Sequence, residues 1–189
     1  MIDLLVAGAG PAGLATAMFA AKAGLRVTVL DPRSGPIDKA CGEGLMPGAV
    51  KMLANLGVTL RGMPFHGIRY LDAHRSATAF FASGSGLGVR RTSLHQAMTE
   101  RALQLGVRFE QGVVREVLQE NGVVTANGYR ARYLVAADGL HSTVRRGVGL
   151  QETARPTRGP AARWGQRQHF RVRPWTRLVE VHWAARSEA

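Results

Sequence analysis

Cysteine is nearly absent from this sequence, and long uninterrupted apolar segments are missing. The 189 residues include one cysteine, Cys41, which excludes an intramolecular disulfide and a cysteine-built zinc or iron–sulfur site. The apolar stretch at residues 4–12 is broken by Gly8, Gly10 and Pro11, which argues against a signal peptide and a membrane span. We therefore expect a cytoplasmic protein with no metal site and no stable membrane insertion.

Acidic residues are also scarce, since 25 Lys and Arg against 13 Asp and Glu give a formal net charge of +12. Such a surplus can indicate binding of nucleic acid or of another anion. Here the later arginines are spaced singly among apolar and polar residues, and no helix-turn-helix, zinc-finger or RNA-binding motif accompanies them. We expect these arginines to meet acidic partners in further polypeptide, and we expect no nucleic-acid partner.

Glycine and apolar side chains are plentiful, with 23 glycines and 46% hydrophobic residues. An apolar run at 2–7 predicts a buried parallel strand, alanine-rich residues 12–23 predict a helix closed by Gly24, and residues 26–30 predict a second strand. This order is typical of the strand–helix–strand unit of doubly wound sheets.

The rest of the chain mixes both kinds of periodicity. We predict helices at 47–56, 92–105 and 142–146, and strands at 65–72, 77–82, 107–110, 113–119, 122–126, 133–137, 168–173 and 178–184. Asparagine–glycine pairs at 121–122 and 127–128 predict β-hairpins. The strand at 133–137 is predicted to be parallel and buried.

These elements predict an α/β fold with two parts. Residues 1–150 should form a Rossmann-like domain built on a parallel sheet, with inserted antiparallel strands at about 62–90. Residues 151–189 should begin an antiparallel substrate-domain sheet that is incomplete at its carboxyl end.

A glycine-rich motif joins the first predicted strand to the first predicted helix. Its residues are Gly8, Ala9, Gly10, Pro11, Ala12 and Gly13. In a GxGxxG motif the first glycine permits a tight turn, the second lets a pyrophosphate approach the backbone, and the third lets helix and strand pack closely. Asp31 ends the second strand, where a carboxylate can bind a ribose. The set predicts dinucleotide binding; the alternative is a glycine-rich turn without a ligand.

A second motif follows the predicted strand 133–137. It runs from Asp138 and Gly139 through Ser142 to Arg145. Together with the glycine motif, and with Arg91 at the start of a helix, it resembles the FAD-dependent aromatic hydroxylases, which are monooxygenases, and the related geranylgeranyl reductases. The resemblance covers nearly the whole chain and implies FAD as the cofactor.

The resemblance also implies roles for individual residues. The FAD pyrophosphate would meet the motif residues Gly8, Gly10, Pro11, Ala12 and Gly13, and Asp31 would hold the adenosine ribose. Arg91 would reach the phosphates or the ribityl chain, unless it forms a surface salt bridge instead. Backbone at Val113 or Val114 would lie near the adenine, and Asp138 with Gly139 would lie close to the FAD. Arg145 could simply anchor its own motif.

Residues 39–47 correspond to the segment that passes the flavin in this superfamily. Cys41 followed by Gly42 is similar to the reductase branch, so Cys41 is the candidate catalytic residue; the alternative is a small buried hydrophobic side chain. Glu43 could transfer a proton, but we expect an exposed loop carboxylate.

The expected activity is that of a FAD-dependent oxidoreductase. The first expectation is a NAD(P)H-dependent monooxygenase, with NADPH as electron donor, that hydroxylates an apolar or aromatic small molecule. The alternatives are a geranylgeranyl-reductase-like enzyme that reduces isoprenoid double bonds, and a FAD-binding fragment without activity. A later Gly-Asp segment typical of the superfamily is not found after Arg145. We therefore expect the amino-terminal part of a longer polypeptide, with Trp164, Trp175 and Trp183 short of packing partners.

Overall fold

The computed structural model of the chain describes residues 1–151 and 165–183. Its helices are α1 (Pro11–Lys22), α2 (Pro47–Leu56), α3 (Arg91–Gln104) and α4 (Thr143–Gly147). Its strands are β1 (Ile2–Ala7), β2 (Val27–Asp31), β3 (Gly44–Leu45), β4 (Met63–Phe65), β5 (Gly67–Leu71), β6 (Ser76–Phe80), β7 (Gly86–Gly88), β8 (Arg108–Gln111), β9 (Val117–Glu120), β10 (Val123–Ala126), β11 (Tyr129–Ala136) and β12 (Val179–His182). None of the helices in the described ranges has the length and apolar character that crossing a bilayer requires.

The chain divides into two compact units. The first unit consists of Met1–Ile37 and Thr92–Arg155, and the second unit consists of Asp38–Arg91 and Pro156–Ala189. The inserted strands predicted at about 62–90 belong to the second unit, in which β12 pairs with β5. The assignment of a substrate domain to the carboxyl-terminal residues stays a prediction.

A six-stranded sheet organises the first unit, in the order β8-β2-β1-β11-β10-β9. β1 pairs in parallel with β2 and β11, and β2 pairs in parallel with β8. α1 connects β1 to β2 and buries Leu14, Ala17 and Met18 completely. The predicted strand–helix–strand unit and the α/β class are therefore confirmed.

Two hairpins extend this sheet beyond β11, since β10 pairs antiparallel with both β9 and β11. The turn residues Asn121, Gly122, Asn127 and Gly128 all have positive φ, between 49° and 79°. Two successive residues with positive φ define the type I′ turn that suits a two-residue hairpin. The hairpins predicted from the asparagine–glycine pairs are confirmed.

Two strands of the first unit differ from the sequence prediction. β9 begins at Val117, not at residue 113, because the Asn127 side chain bonds the Val113 carbonyl oxygen and the Arg115 N–H. β11 is parallel to β1 as expected, but the prediction that this strand is buried is wrong. Tyr133 is 59% exposed, and the strand starts in a polar, alternating segment typical of a sheet with one face in solvent.

The second unit contains two three-stranded sheets. β5 lies between β12, to which it is parallel, and β6, to which it is antiparallel. β7 lies between β3 and β4 and is antiparallel to both. Phe65 packs edge-on against Phe81 with ring centroids 5.6 Å apart, and its ring fills space that a Cβ at Gly86 would occupy.

The predicted strand at 168–173 is wrong, because residues 165–174 form no strand. Arg167 and His169 tie this segment to Asp38 and Glu43 through their side chains, in place of a ladder to a neighbouring strand. β12 confirms the strand predicted at 178–184. Trp175 and Trp183 are 77% and 58% exposed, as expected, whereas Trp164 lies outside the described residues.

Candidate functional site

The glycine motif forms a tight loop between β1 and α1. Gly8 has a φ of 100°, a conformation that favours glycine, and its N–H donates to the Leu30 carbonyl oxygen at 2.7 Å. A Cβ on Gly8 would collide with the Ala137 carbonyl oxygen, and a Cβ on Gly13 would collide with the Gly8 carbonyl oxygen. The first glycine therefore permits the turn, and the third permits α1 to pack closely on the loop.

Gly10 has a different environment from the other two glycines. A Cβ on Gly10 would meet no atom within 4 Å. Gly10 is also the N-cap of α1, where no side chain caps the helix and no acidic residue occupies the first turn. The first N–H groups of a helix lack intrahelical acceptors and carry partial positive charge. This end of α1 therefore offers space and donors to an anion such as a pyrophosphate.

A cavity of about 350 Å³ lies beside the loop. Gly8, Asp31, Val114 and Asp138 all contribute to its lining. These four residues come from separate segments of the chain, and each was predicted from sequence to contact the cofactor. The fold of the first unit brings them together around one space.

The two carboxylate oxygens of Asp138 differ in their hydrogen bonding among the described residues. Its Oδ2 accepts hydrogen bonds from the N–H groups of Thr143 (2.8 Å) and Val144 (3.2 Å) and from Thr143 Oγ1 (3.3 Å). Its Oδ1 is buried and has no hydrogen-bond partner in the described part of the chain. Burial opposes ionisation, but the nearby Ser142 hydroxyl and the N–H groups of Val144 and Thr143 outweigh burial and lower the pKa of Asp138. The carboxylate is therefore an anion with a spare acceptor, which suits a hydroxyl group of a ligand.

Asp31 is 5% exposed, and both of its carboxylate oxygens accept hydrogen bonds. Oδ2 accepts from the Ala9 N–H at 2.8 Å and from Arg33 Nη2 at 3.0 Å. Oδ1 accepts from the Arg33 N–H at 3.0 Å and from Arg33 Nε at 2.9 Å. Burial opposes ionisation, but these contacts outweigh it, so the pKa of Asp31 lies below its ordinary value. A ribose at Asp31 would share the carboxylate with Arg33, and the ribose contact stays a prediction.

Neighbouring residues complete the first unit's site. Val114 is 3% exposed, and its carbonyl oxygen accepts from Thr143 Oγ1 at 2.6 Å. Gly139 has a φ of 90° in the turn after β11. Arg145 donates from Nη2 to the Leu140 carbonyl oxygen at 2.7 Å, so it anchors its own motif.

Two residues of the first unit were missed by sequence reasoning. Arg33 follows Asp31 by two residues, a spacing that could have suggested a local ion pair. His95 lies on α3 and is 4% exposed; its position one turn after Arg91 was the available signal. Its Nε2 donates to the Ala9 carbonyl oxygen at 2.9 Å.

The second unit holds the other predicted residues. Arg91 is 9% exposed, so the alternative of a surface salt bridge is wrong. Its N–H donates to Glu43 Oε1 at 2.7 Å, and its Nε is buried with no hydrogen-bond partner in the described ranges. Cys41 is an exposed free thiol, so the alternative of a buried hydrophobic side chain is wrong.

Glu43 is not the exposed carboxylate expected from sequence, because its side chain is 14% exposed. Besides the Arg91 N–H, it accepts from Arg167 Nη1 at 3.0 Å and from His169 Nε2 at 2.6 Å. Burial opposes ionisation, but these three donors outweigh it and lower the pKa of Glu43. Its φ of 52° is a left-handed conformation, which costs free energy for a residue other than glycine. Sequence could not reveal this site, because Arg91 lies 48 residues away from Glu43 and the two side-chain partners, Arg167 and His169, lie more than 120 residues away.

Comparison with known proteins decides the family. The family described as "FAD binding domain" matches residues 1–166. The chain belongs to this FAD-binding family. This match, together with the monooxygenases and hydroxylases among the relatives and solved structures, confirms the resemblance to FAD-dependent monooxygenases that was stated from sequence.

Curated relatives of this FAD-binding chain include reductases and oxygenases. The chain is 35% identical over 164 residues to a menaquinone reductase of Mycolicibacterium smegmatis, covering 78% of the chain and 40% of the relative. It is 31% identical over 174 residues to a rifampicin monooxygenase of Streptomyces venezuelae, covering 84% and 36%. The chain thus spans less than half the length of these curated relatives.

Solved structures also include both classes. A p-nitrophenol 4-monooxygenase from Pseudomonas putida matches with a TM-score of 0.69 and 25% identity over 79% of this chain and 44% of its own. A geranylgeranyl bacteriochlorophyll reductase-like protein from Thermoplasma acidophilum matches with a TM-score of 0.60 and 25% identity over 73% and 39%.

Proposed function

We propose that this chain forms the FAD-binding part of a NAD(P)H-dependent oxidoreductase that acts on an apolar or aromatic small molecule. One observation carries the proposal: the first unit contains both the uncapped start of α1 at Gly10 and a cavity lined by Asp138, whose buried Oδ1 has no hydrogen-bond partner among the described residues. The first suits the pyrophosphate of FAD, and the second suits a hydroxyl of its sugar or ribityl chain. The residues present therefore fit this cofactor.

The chain's own residues would bind and orient the cofactor. The pyrophosphate would meet Gly8, Gly10, Pro11, Ala12 and Gly13. Asp31 would hold the adenosine ribose, Val114 would lie by the adenine, and Asp138 with Gly139 would hold hydroxyl groups. Arg91 would contribute a cation to the phosphates or ribityl chain.

When bound, FAD supplies the redox chemistry, accepting electrons from a donor and passing them to oxygen or substrate. The contribution of the protein is binding, orientation and exclusion of water. No nucleophilic side chain is required for this, and NADPH is the donor that we propose.

Two reaction types are compatible with this site. Hydroxylation is supported by the oxygenases among the relatives, at about 30% identity. A reductase is supported by the menaquinone reductases, one of them at 35% identity. Reduction of an isoprenoid double bond in particular is supported by the geranylgeranyl bacteriochlorophyll reductase-like structure and by Cys41, an accessible thiol in residues 39–47. We favour the monooxygenase, with the reductase as the second candidate.

Flavin absorbance of the purified chain, with and without added FAD, tests the proposal directly. We expect stoichiometric flavin bands from the unaltered chain and none from Gly10→Val, in which the added side chain occupies the open space at Gly10. The matched stability of the two proteins in urea is the control. A folded unaltered chain that takes up no FAD would contradict the proposal.

NADPH addition to the flavin-loaded protein then distinguishes the two reaction types. Without oxygen, a reductase would consume NADPH only when an isoprenoid compound is added, and mass spectrometry would show that the compound has gained two hydrogens at a double bond. A monooxygenase would consume NADPH and oxygen together when a phenolic substrate is added. Cys41→Ala should slow only the reductase reaction; if turnover of every substrate is unchanged, the role of Cys41 is wrong.

A further inference from the structure

The peptide groups on both sides of Ala9 are held by buried side chains from two different elements. The Ala9 N–H donates to Asp31 Oδ2 at 2.8 Å, from the end of β2. The Ala9 carbonyl oxygen accepts from His95 Nε2 at 2.9 Å, from the second turn of α3. Ala9, Asp31 and His95 are 5%, 5% and 4% exposed, so water cannot readily replace either bond.

These two hydrogen bonds fix the orientation of the two peptide groups at the centre of the glycine loop, one on each side of Ala9. The Ala9 carbonyl belongs to the peptide group that carries the Gly10 N–H. Since a peptide group is planar, a donor that fixes the carbonyl oxygen also fixes the opposite N–H. His95 therefore orients the Gly10 N–H, which lies at the uncapped start of α1.

His95 acts on the loop from a space other than the proposed cofactor cavity. Ala9 and His95 line a second cavity of about 300 Å³, whereas Gly8 and Asp138 line the one of about 350 Å³; Asp31 and Arg33 line both. The His95 ring is itself held on α3, where Nδ1 lies 3.5 Å from Thr99 Oγ1. The His95 ring therefore contacts the glycine loop through the Ala9 carbonyl oxygen and does not line the proposed cofactor cavity.

We propose that His95 is a positioning residue for phosphate recognition, acting through the Ala9–Gly10 peptide group opposite Asp31. This inference rests on the proposed binding of FAD at the glycine loop. A backbone N–H that is already oriented in the free protein binds a phosphate without the entropic cost of ordering the glycine loop. Loss of the His95 donor would leave the Ala9 carbonyl oxygen buried without that partner and free the peptide group to rotate.

Three variants of α3 test this proposal in the full 189-residue chain. His95→Leu removes the donor and retains an apolar side chain of moderate size. His95→Gln keeps an N–H donor at a similar reach. Met98→Ala truncates another buried α3 side chain, 2% exposed, and serves as the control for loss of stability.

FAD affinity, measured by quenching of flavin fluorescence, gives the first readout. We expect His95→Leu to weaken FAD binding about tenfold or more, because the Gly10 N–H would no longer be held in position for its hydrogen bond to the anionic phosphate. We expect His95→Gln to restore affinity to within about threefold, and Met98→Ala to lower stability with little change in affinity. Equal affinity losses in His95→Leu and Met98→Ala at matched stability would overturn the proposal.

Amide hydrogen exchange in the ligand-free chain gives a second readout that does not depend on FAD. We expect the Ala9 and Gly10 N–H groups to exchange faster in His95→Leu than in Met98→Ala of matched stability, with protection restored in His95→Gln. If the Ala9 and Gly10 N–H groups exchange at the same rate in His95→Leu as in the unaltered chain, the proposed positioning role of His95 is wrong, even where FAD binds. If the unaltered chain binds no FAD but shows the expected exchange pattern, the proposed function fails and the orientation of the loop by His95 stands.

Discussion

Four carboxylates of this chain, two from each unit, are held in different ways. In the first unit, Asp31 and Asp138 bind backbone N–H groups and side chains that lie between 2 and 22 residues away in sequence. In the second unit, Asp38 and Glu43 bind Arg167, which is 129 and 124 residues away. Phe80 and Trp175 of the second unit remain 71% and 77% exposed. A motif that closes on itself can be recognised in sequence, whereas a network closed by distant residues cannot.

The sharpest test of this contrast is a pair of identical substitutions in the glycine motif. Gly13→Ala places a Cβ against the Gly8 carbonyl oxygen, which is backbone and cannot move aside. Alanine would gain about 1 kcal/mol of helix propensity, but overpacking should cost more, for a net loss of about 2 kcal/mol or more. Urea unfolding measures this loss.

Gly10→Ala is the control for that substitution. Its Cβ meets open space, so the free energy of unfolding should change by less than about 0.5 kcal/mol, while FAD affinity falls. Equal destabilisation by the two changes would contradict the separate roles given to these glycines.

Asp138 provides the second test, through its dependence on pH. Its lowered pKa means that its ionised form contributes stability above the unfolded value, about 3.9, and that this contribution is lost as pH falls through the folded value. At neutral pH, Asp138→Ala should cost about 2 kcal/mol, because hydrogen bonds to a charged acceptor at the start of α4 are lost.

The free energies of unfolding of the unaltered chain and of Asp138→Ala should begin to converge as the pH falls below about 4 and should come closest below the folded pKa of Asp138. Asp138→Asn should fall between them at neutral pH, because an amide oxygen still accepts but carries no charge. A stability difference that is constant from neutral pH to pH 3 would contradict the assignment of the ionised form.

The contrast between the units also explains what sequence could predict. The motifs around Gly8, Asp31 and Asp138 were found because their residues are close in sequence and follow apolar strands. The hairpin turns were found because Asn and Gly tolerate positive φ. The strand at 168–173 was wrong because alternation alone does not supply a neighbouring strand, and the environment of Glu43 was missed because its partners are distant.

His95 and β11 show a further limit of sequence reasoning. Alternation and helical spacing identify which side of an element is buried, but they do not identify a hydrogen bond between elements. A histidine on a buried helix face could equally be a core residue. The burial of residues 133–137 was overestimated, because an apolar run shows a preference for burial but does not supply the elements that would cover both of its faces; Tyr133 is 59% exposed.

Glu43 offers a test of the long-range network in the second unit. Glu43→Gln keeps an acceptor for the Arg91 N–H but removes the charge that binds Arg167 and His169. Because the Glu43 side chain is only 14% exposed, we expect the substitution to lower the free energy of unfolding by about 1 kcal/mol. Faster hydrogen exchange at the Arg91 amide measures this loss.

Asp38→Asn is the matched control, since Asp38 binds the same Arg167 but its side chain is 54% exposed. Surface ion pairs contribute little, so the loss should be below about 0.5 kcal/mol. A larger effect from Asp38→Asn than from Glu43→Gln would show that charge alone, and not burial, sets the strength of this network.

The two hairpin turns of the first unit give the smallest effect and the finest comparison. Asn121→Gly and Asn127→Gly both place glycine at a φ of 49°, where glycine is unstrained. Asn127 also bonds the Val113 carbonyl oxygen at 2.6 Å and the Arg115 N–H at 3.1 Å. We expect Asn121→Gly to change stability by less than about 0.5 kcal/mol and Asn127→Gly to cost about 1 kcal/mol. Thermal unfolding of both variants measures the difference, and equal midpoints would mean that the turn conformation, not the side-chain contacts, determines the stability of this hairpin. Because Asn127 holds the segment that leads to Val114, only its loss should also weaken FAD binding.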